Sequence, residues 1–266
     1  MMNYKIEEET FTEAYLWLVK NLINQGVTKA PRGQAISHIQ NCLFCVYHPG
    51  DMFDHPARPF QTKYLNKELE LYTSGTLKAS DFGEASKFWL KLANPDGTIN
   101  SNYGYRVFHK PMLGMFGGNT QFKNQWDFAK QQLINDKDTR QALIFVSGPD
   151  VQFEGNKDFI CTLNYIFNIE DDKLHLTVNR RSQDLLFGIP YDYVFEFLLM
   201  EKMLKELSSY YPDLKLGSYT MFANNVHIYE RNFEIFKEID KHSELTQTLD
   251  IHNLVDKNVY DNLMNL

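Results

Sequence analysis

The stretch NRRSQDLLFGIPYDYVF, residues 179–195, joins the end of one element to the start of another. The residues before it, from 174, alternate apolar and polar side chains and read as a strand over 174–181. Gly188 and Pro190 mark a turn. The apolar content from 192 to 207 is too long and too continuous for a strand, so it reads as a buried helix. Asp192 stands at the head of that helix. A carboxylate there has two readings: it caps the helix N-terminus, or it faces a site furnished by Arg180, Arg181 and Ser182.

Working outward, residues 159–169 form a second strand, and Asp171 and Asp172 form the turn of a hairpin with 174–181. Further strands are predicted at 35–47, 141–147 and 216–222. At 10–25 the apolar residues Phe11, Ala14, Tyr15, Leu18, Val19, Leu22 and Ile23 share one helical face, and Gly26 stops it. Helices are also predicted at 63–74, 82–93 and 122–134. Hairpin-linked strands mixed with helices favour an α+β fold over a doubly wound parallel sheet. With no repeat, low-complexity block or linker, residues 1–266 read as a single domain.

The chain has 266 residues, of which 43% are hydrophobic and 14% aromatic, enough for a substantial core. Its net charge of −7 argues against broad nucleic-acid binding and leaves anion binding to local arginine clusters. No apolar run reaches membrane-span length, and MMNYKIEEET does not read as a signal peptide. Three cysteines suggest free thiols and a cytoplasmic setting.

In HIQNCLFCVYH, residues 38–48, His38, Cys42, Cys45 and His48 raise the question of zinc. Strand parity separates Cys45 from the other three, so no metal site is expected. Cys161 is either an apolar filler or a nucleophile whose thiol is tuned by an arginine one hairpin away. Arg180, Arg181 and Ser182 suit a phosphate, or Arg180 and Arg181 are strand-end charges paired with Asp184. Arg32 and Arg140 sit in turn-like settings. Glu68 and Glu70 point to different helix faces, so one can be buried. His227 and Tyr229 share a strand face and can both donate to one sugar hydroxyl.

Taken together and in order, these segments resemble the thymidylate synthase superfamily from about residue 28 to about residue 232. KELELYTSG resembles the helix of the catalytic glutamate, here Glu68. INSNYGYRVF carries the Tyr-Gly motif at Tyr103 and Gly104. DTRQALIF resembles the segment that reaches across a dimer to a phosphate. DFICTLNYIFNI resembles the nucleophile strand, with Cys161. RRSQDLLFGIPYD resembles the signature R-S-x-D-x-x-x-G-x-P-x-N, and NNVHIY the deoxyribose-binding motif. The resemblance implies a mixed sheet flanked by helices, dimerised through the sheet. It also implies a single catalytic domain that uses 5,10-methylenetetrahydrofolate as cosubstrate. Arg32, Arg140, Arg181 and Ser182 would hold the phosphate, with Arg140 from the other subunit. Tyr103, His227 and Tyr229 would serve the nucleotide, and Asp184, Trp89 and Gly188 the folate.

Several positions depart from that pattern. Ile160-Cys161-Thr162 replaces Pro-Cys-His, Gln141 replaces the second arginine of an Arg-Arg pair, and Ile166-Phe167 replaces Gln-Phe. NVYDNLMNL is unlike the family's closing peptide. Asp192 replaces the signature asparagine. Threonine after the cysteine, the INSNYG segment and Asp192-Tyr193 resemble the bacteriophage deoxycytidylate hydroxymethylases. An asparagine amide complements uracil, which donates at N3 and accepts at O4. Cytosine reverses that pattern. Either a protonated carboxylic acid or a carboxylate facing N3-protonated cytosine complements it. The resemblance therefore implies hydroxymethylation of dCMP at C5 through a Cys161 adduct at C6. Methylation of dCMP, action on dUMP or CMP, and a non-catalytic homologue are the alternatives.

Overall fold

A computed structural model describes residues 4–112 and 122–266. In chain order its strands are β1 (Tyr4–Glu8), β2 (Val27–Lys29), β3 (Ile36–Val46), β4 (Asp51–Asp54), β5 (Leu143–Phe145), β6 (Thr162–Glu170), β7 (Lys173–Arg180), β8 (Gln183–Asp184), β9 (Lys215–Tyr229) and β10 (Gln247–Asp250). Its helices are α1 (Phe11–Gln25), α2 (Thr62–Ser74), α3 (Ala79–Ala85), α4 (Phe88–Leu92), α5 (Gln125–Asn135), α6 (Ile189–Leu207), α7 (Phe233–Lys241) and α8 (Lys257–Met264). The main sheet runs β1-β3-β9-β7-β6-β5, with β2 beside β3 and β8 beside β9. It is mixed: β1 with β3 and β7 with β9 are parallel, whereas β3 with β9 and β6 with β7 are antiparallel. The expected α+β class is the one observed.

The β6–β7 hairpin turns on Asp171 and Asp172, both left-handed with φ of 49° and 52°. Two residues of positive φ give a turn whose twist matches the strands, and aspartate tolerates that region better than most residues. Helix α1 has the expected apolar face and a capping box from Thr10 and Glu13. Element boundaries differ from expectation in several places. The helix predicted at 82–93 splits into α3 and α4 because the backbone at Ser86 is extended. The strand predicted at 216–222 continues to Tyr229, since β3 pairs with it from Val46–Tyr219 to Ile36–Tyr229. The strand predicted at 141–147 shortens to Leu143–Phe145 at the sheet edge.

One face of the sheet carries Leu174, Leu176 and Val178 of β7, Tyr165 and Phe167 of β6, and Tyr219 and Met221 of β9, all buried. Helix α6 packs against β7 and β9, and its apolar side chains join one continuous core. The opposite face is only partly covered: Phe145, Leu163 and Phe222 are exposed. No group of three or more metal-ligating side chains occurs among the described residues, and Cys42 and Cys45 are buried free thiols. No helix of the described residues is long and apolar enough to cross a membrane.

Candidate active site

Two elements that end side by side build the site. Strand β7 ends at Arg180, and Cys161 is the residue just before β6, rather than inside it as expected. The Arg181 amide donates to the Cys161 carbonyl at 3.0 Å, and Arg181 Nη2 lies 3.5 Å from Cys161 Sγ. Arg181 also donates through Nε to the Ile160 carbonyl at 2.9 Å and through Nη2 to that of Phe159, over whose ring it stacks. The loop before Cys161 is fastened from INSN. The buried Asp158 carboxylate accepts the Asn100 and Ser101 amides at 2.6 and 2.8 Å, and the Ser101 hydroxyl. Burial pushes the Cys161 thiol up, against the pull of Arg181. A thiol in this position stays protonated unless a base or a ligand contact helps it to ionise.

Arg32, Arg181, Ser182, His227 and Tyr229 line one cavity of about 730 Å³, together with Lys29, Asn156 and Asn225. Arg32 presents its side chain from a left-handed turn, φ 52°. The Ser182 hydroxyl lies 3.5 Å from His227 Nδ1, and the His227 and Tyr229 rings meet edge-on at 5.2 Å. Asn225 bridges two histidines, with its amide nitrogen 2.8 Å from His38 Nδ1 and its oxygen 3.0 Å from His227 Nδ1. With Asn225 in that orientation, a neutral His227 that donates from Nδ1 presents Nε2 as an acceptor, whereas the sequence suggested donation from both His227 and Tyr229. Burial, with His38 and Arg181 nearby, lowers the His227 pKa to about 4, so the ring is neutral.

Asp192 does not cap α6. The helix begins three residues earlier, at Ile189, and Gly188 holds the cap position without a side-chain bond. Pro190 fits that first turn because the amide it lacks has no helical partner there. Asp192 Oδ2 instead accepts from Arg180 Nη1 at 2.5 Å and from Gln183 Nε2 at 3.1 Å. Its Oδ1 carries no hydrogen bond from the described residues. Arg180 is therefore no phosphate ligand and no partner of Asp184. It is fully buried and also holds Glu196. Asp184 accepts the Leu186 and Phe187 amides at 3.0 and 3.4 Å. A side chain at Gly188 would meet Gln183 Nε2 and the Asp184 carbonyl at under 3 Å, which reserves the position for glycine.

Glu68 is buried and Glu70 exposed. Burial, then the neighbouring Asp192 charge, raises the Glu68 pKa to about 8. Tyr64 donates to Glu68 Oε1 at 2.9 Å and receives Trp89 Nε1 at 3.4 Å. Tyr103 is buried within electrostatic reach of Asp192, Cys161 and Arg180. Arg140 is exposed before β5 and does not line the cavity.

The thymidylate synthase family model matches residues 13–265. The chain belongs to the thymidylate synthase family. Deoxycytidylate 5-hydroxymethyltransferase of Enterobacteria phage T6 is 32% identical over 178 residues, 64% of this chain and 68% of that protein. Thymidylate synthase of Bacillus phage phi3T is 25% identical over 243 residues, 85% and 82% of the two chains. Among solved structures, thermostable thymidylate synthase A from Bacillus subtilis superposes with a TM-score of 0.67 at 21% identity, covering 90% of this chain and 86% of its own. That likeness confirms the thymidylate synthase fold.

Within this family frame, the sequence reading missed Lys29, Gln183, Glu196, Asn225 and Tyr64. Two of them had a legible signal. Glu196 is a lone charge in an apolar helical run, four residues after Asp192, and Tyr64 stands four residues before Glu68. Both spacings place neighbours on one helix face.

Proposed function

We propose that this thymidylate synthase family member transfers a one-carbon unit from 5,10-methylenetetrahydrofolate to C5 of dCMP. Water is added, and the products are 5-hydroxymethyl-dCMP and tetrahydrofolate. The observation that carries the reading is Asp192. A carboxylate stands at the asparagine position of the family signature, clamped through Oδ2, with Oδ1 left to the site. Cytosine needs an acceptor for its N4 amino group, and an anionic partner supports a proton at N3. The phage relatives at 31–32% identity named deoxycytidylate 5-hydroxymethyltransferase fit the same substrate.

In this mechanism Arg32, Arg181 and Ser182 bind the phosphate, joined by Arg140 of the partner subunit. Lys29 lines the same cavity and adds a cation where Gln141 offers none. His227 Nε2 accepts a hydrogen bond from the sugar hydroxyl, with Tyr229 alongside. Cys161 Sγ adds to C6, which places the electron pair at C5. C5 then bonds to the one-carbon unit; loss of the C5 proton with cleavage of the bond between that carbon and the folate nitrogen would release tetrahydrofolate and leave an exocyclic methylene. Water adds to the resulting exocyclic methylene, and Sγ is expelled from C6. Glu68 is neutral at pH 7, held by Tyr64, and serves the proton and water transfers. Trp89, flanked by the exposed Phe88 and Leu90, and Asp184, beside the exposed Phe187, offer apolar surface and a carboxylate to the folate. A dimer through the open sheet face would cover Phe145, Leu163 and Phe222. Three free thiols suit a reducing cytoplasm. No nucleic acid takes part in this reading.

One observation favours a second reading, methylation of dUMP: relatives named thymidylate synthase align over more of the chain. Mass spectrometry of products from dCMP, dUMP and CMP, each with the folate, separates the two. A gain of a hydroxymethyl group on dCMP is expected. Thymidylate from dUMP, with dCMP untouched, would replace this proposal with the second reading.

A further inference from the structure

Arg180 is one guanidinium shared by two carboxylates. Asp192 and Glu196 lie four residues apart on α6 and so face the same way. Arg180 gives Nη1 to Asp192 and Gln183, and Nη2 to Glu196. Glu196 Oε2 takes the Tyr219 hydroxyl at 2.7 Å. The side chains of Arg180 and Glu196 are 0% exposed and that of Asp192 is 15% exposed, so Asp192 is the member that can meet a ligand.

A buried charge needs a partner, and one guanidinium matches one carboxylate. An orienting clamp for Asp192 would be complete with Arg180 and Gln183. Glu196 adds a second buried carboxylate at a desolvation cost, and leaves the cluster one negative charge, or one proton, in excess. We propose that Glu196 sets the charge of the base-reading site, so that the cluster binds cytosine protonated at N3. The inference rests on the dCMP reading given above.

The charge balance follows directly. With both carboxylates ionised, Arg180, Asp192 and Glu196 carry one positive and two negative charges. A cytosine ring that takes one proton from solvent at N3 brings the total to zero, with no bond broken. Without the Glu196 charge, the same protonated ring would leave a buried positive charge in excess. An unprotonated ring would turn its N3 lone pair toward a carboxylate. Uracil is neutral with a proton already on N3, so it cannot discharge the surplus, and the same device works against dUMP. Protonation at N3 also draws electrons from C6, where Cys161 must add.

The other groups around the cluster compete for that proton. Tyr219 from β9 bonds Glu196, Tyr165 from β6 lies within its electrostatic reach, and Arg180 comes from β7. On the ligand side Asp192 interacts with Glu68 and Tyr72 of α2, with Tyr103 and with Cys161. Burial first, then Asp192, keeps Glu196 and Glu68 high, at about 7 and about 8. The cluster therefore holds a mobile proton near neutral pH.

The test uses the full-length chain and Glu196→Gln, which keeps the shape and a hydrogen bond to Arg180. Nitrogen-15 NMR of dCMP labelled at N3, bound without folate, reads the proton. Wild type is expected to bind it protonated at pH 7. Glu196→Gln is expected to lower the N3 pKa of bound dCMP by at least one unit, to reduce kcat/KM for dCMP about tenfold or more at pH 7.5, and to regain activity toward pH 6. Should Glu196→Gln fail to fold, Tyr219→Phe replaces it. Loss of that hydroxyl raises the proton affinity of Glu196 and should shift N3 in the same direction by less. Wild type turning over dCMP with N3 unprotonated overturns this inference alone, as does an unchanged N3 pKa in the folded variant. Wild type that turns over only dUMP overturns the dCMP reading with it.

Discussion

Replacing Asp192 by asparagine leaves a carbonyl oxygen and an amide in place of two equivalent oxygens. Arg180 and Gln183 both donate to Oδ2, so the oxygen of the amide is held there and its NH2 turns to the site. That donor meets O4 of uracil but opposes the N4 amino group of cytosine. A mispaired buried polar group costs about 1–3 kcal/mol, roughly ten- to a hundredfold. The expected outcome for Asp192→Asn is a fall of that size in kcat/KM for dCMP, with the dCMP-to-dUMP ratio moving toward dUMP. An unchanged ratio would remove Asp192 from base recognition. Glu68 supports a second test. Its pKa is raised from 4.5 to about 8, so between those values the unfolded chain has released a proton that the folded chain keeps. The associated stability is fully present below about 4.5 and is lost as pH rises through 8. Glu196, raised to about 7, acts in the same direction. Glu68→Gln should remove up to roughly 1.4 kcal/mol per pH unit of that slope. Denaturant melts from pH 5 to 8.5 measure it, and parallel slopes would place the Glu68 proton elsewhere. The candidate residues Cys161, Arg181, Ser182, His227 and Tyr229 were legible because six segments occur in one order. Arg180 was not separable from Arg181 by chemistry. Arg180 continues the row of side chains at 174, 176 and 178, which the structure buries, and that alternation is the signal the sequence analysis did not use; a charge in such a row needs buried partners.

At the scale of elements, α2 owes its position to a backbone contact. A side chain at Gly104 would lie 2.2 Å from the carbonyl oxygen of Tyr72, which is part of α2. The Tyr-Gly motif therefore lets a neighbouring segment touch the helix that carries Glu68, one turn before Tyr72. Gly104→Ala should push α2 away, destabilise the fold by about 2 kcal/mol through overpacking, and reduce kcat more than it raises KM for the nucleotide. Denaturant melts and steady-state kinetics together check this. A variant as stable and as fast as wild type would show that the contact relaxes freely. Long amphipathic helices, the hairpin and the alternating strands were readable from periodicity. The ends were not, because tertiary partners set them. Strand β9 runs on past Asn224 since β3 pairs with it from Asn225 to Tyr229 and β8 pairs with it at Val226 and His227. Helix α6 starts before Asp192 because the carboxylate is bound by Arg180 and Gln183, leaving Gly188 to the cap.

For the whole molecule, the question is whether one chain makes a complete site. The sheet buries one face beneath α6 and leaves Phe145, Leu163 and Phe222 exposed on the opposite face, an apolar area suited to a second copy. Arg140 lies exposed just before β5, outside the cavity that gathers Arg32, Arg181 and Ser182. If Arg140 completes that cavity in the partner subunit, the two defects Arg140→Ala and Cys161→Ser are complementary. Each homodimer alone is inactive or severely impaired, the second because a hydroxyl is a far weaker nucleophile than a thiolate at neutral pH. In a mixed dimer, the site built on the Arg140→Ala chain has its own Cys161 and receives Arg140 from the other chain. The second site lacks both. Equal mixing after subunit exchange makes about half of the dimers mixed, so activity should recover to roughly a quarter of wild type. Exchange is verified independently by mass spectrometry of differently tagged chains. Mixed dimers that form without recovery would show that Arg140 does not act across the interface, and a monomer by sedimentation would show that the cavity is filled from one chain alone.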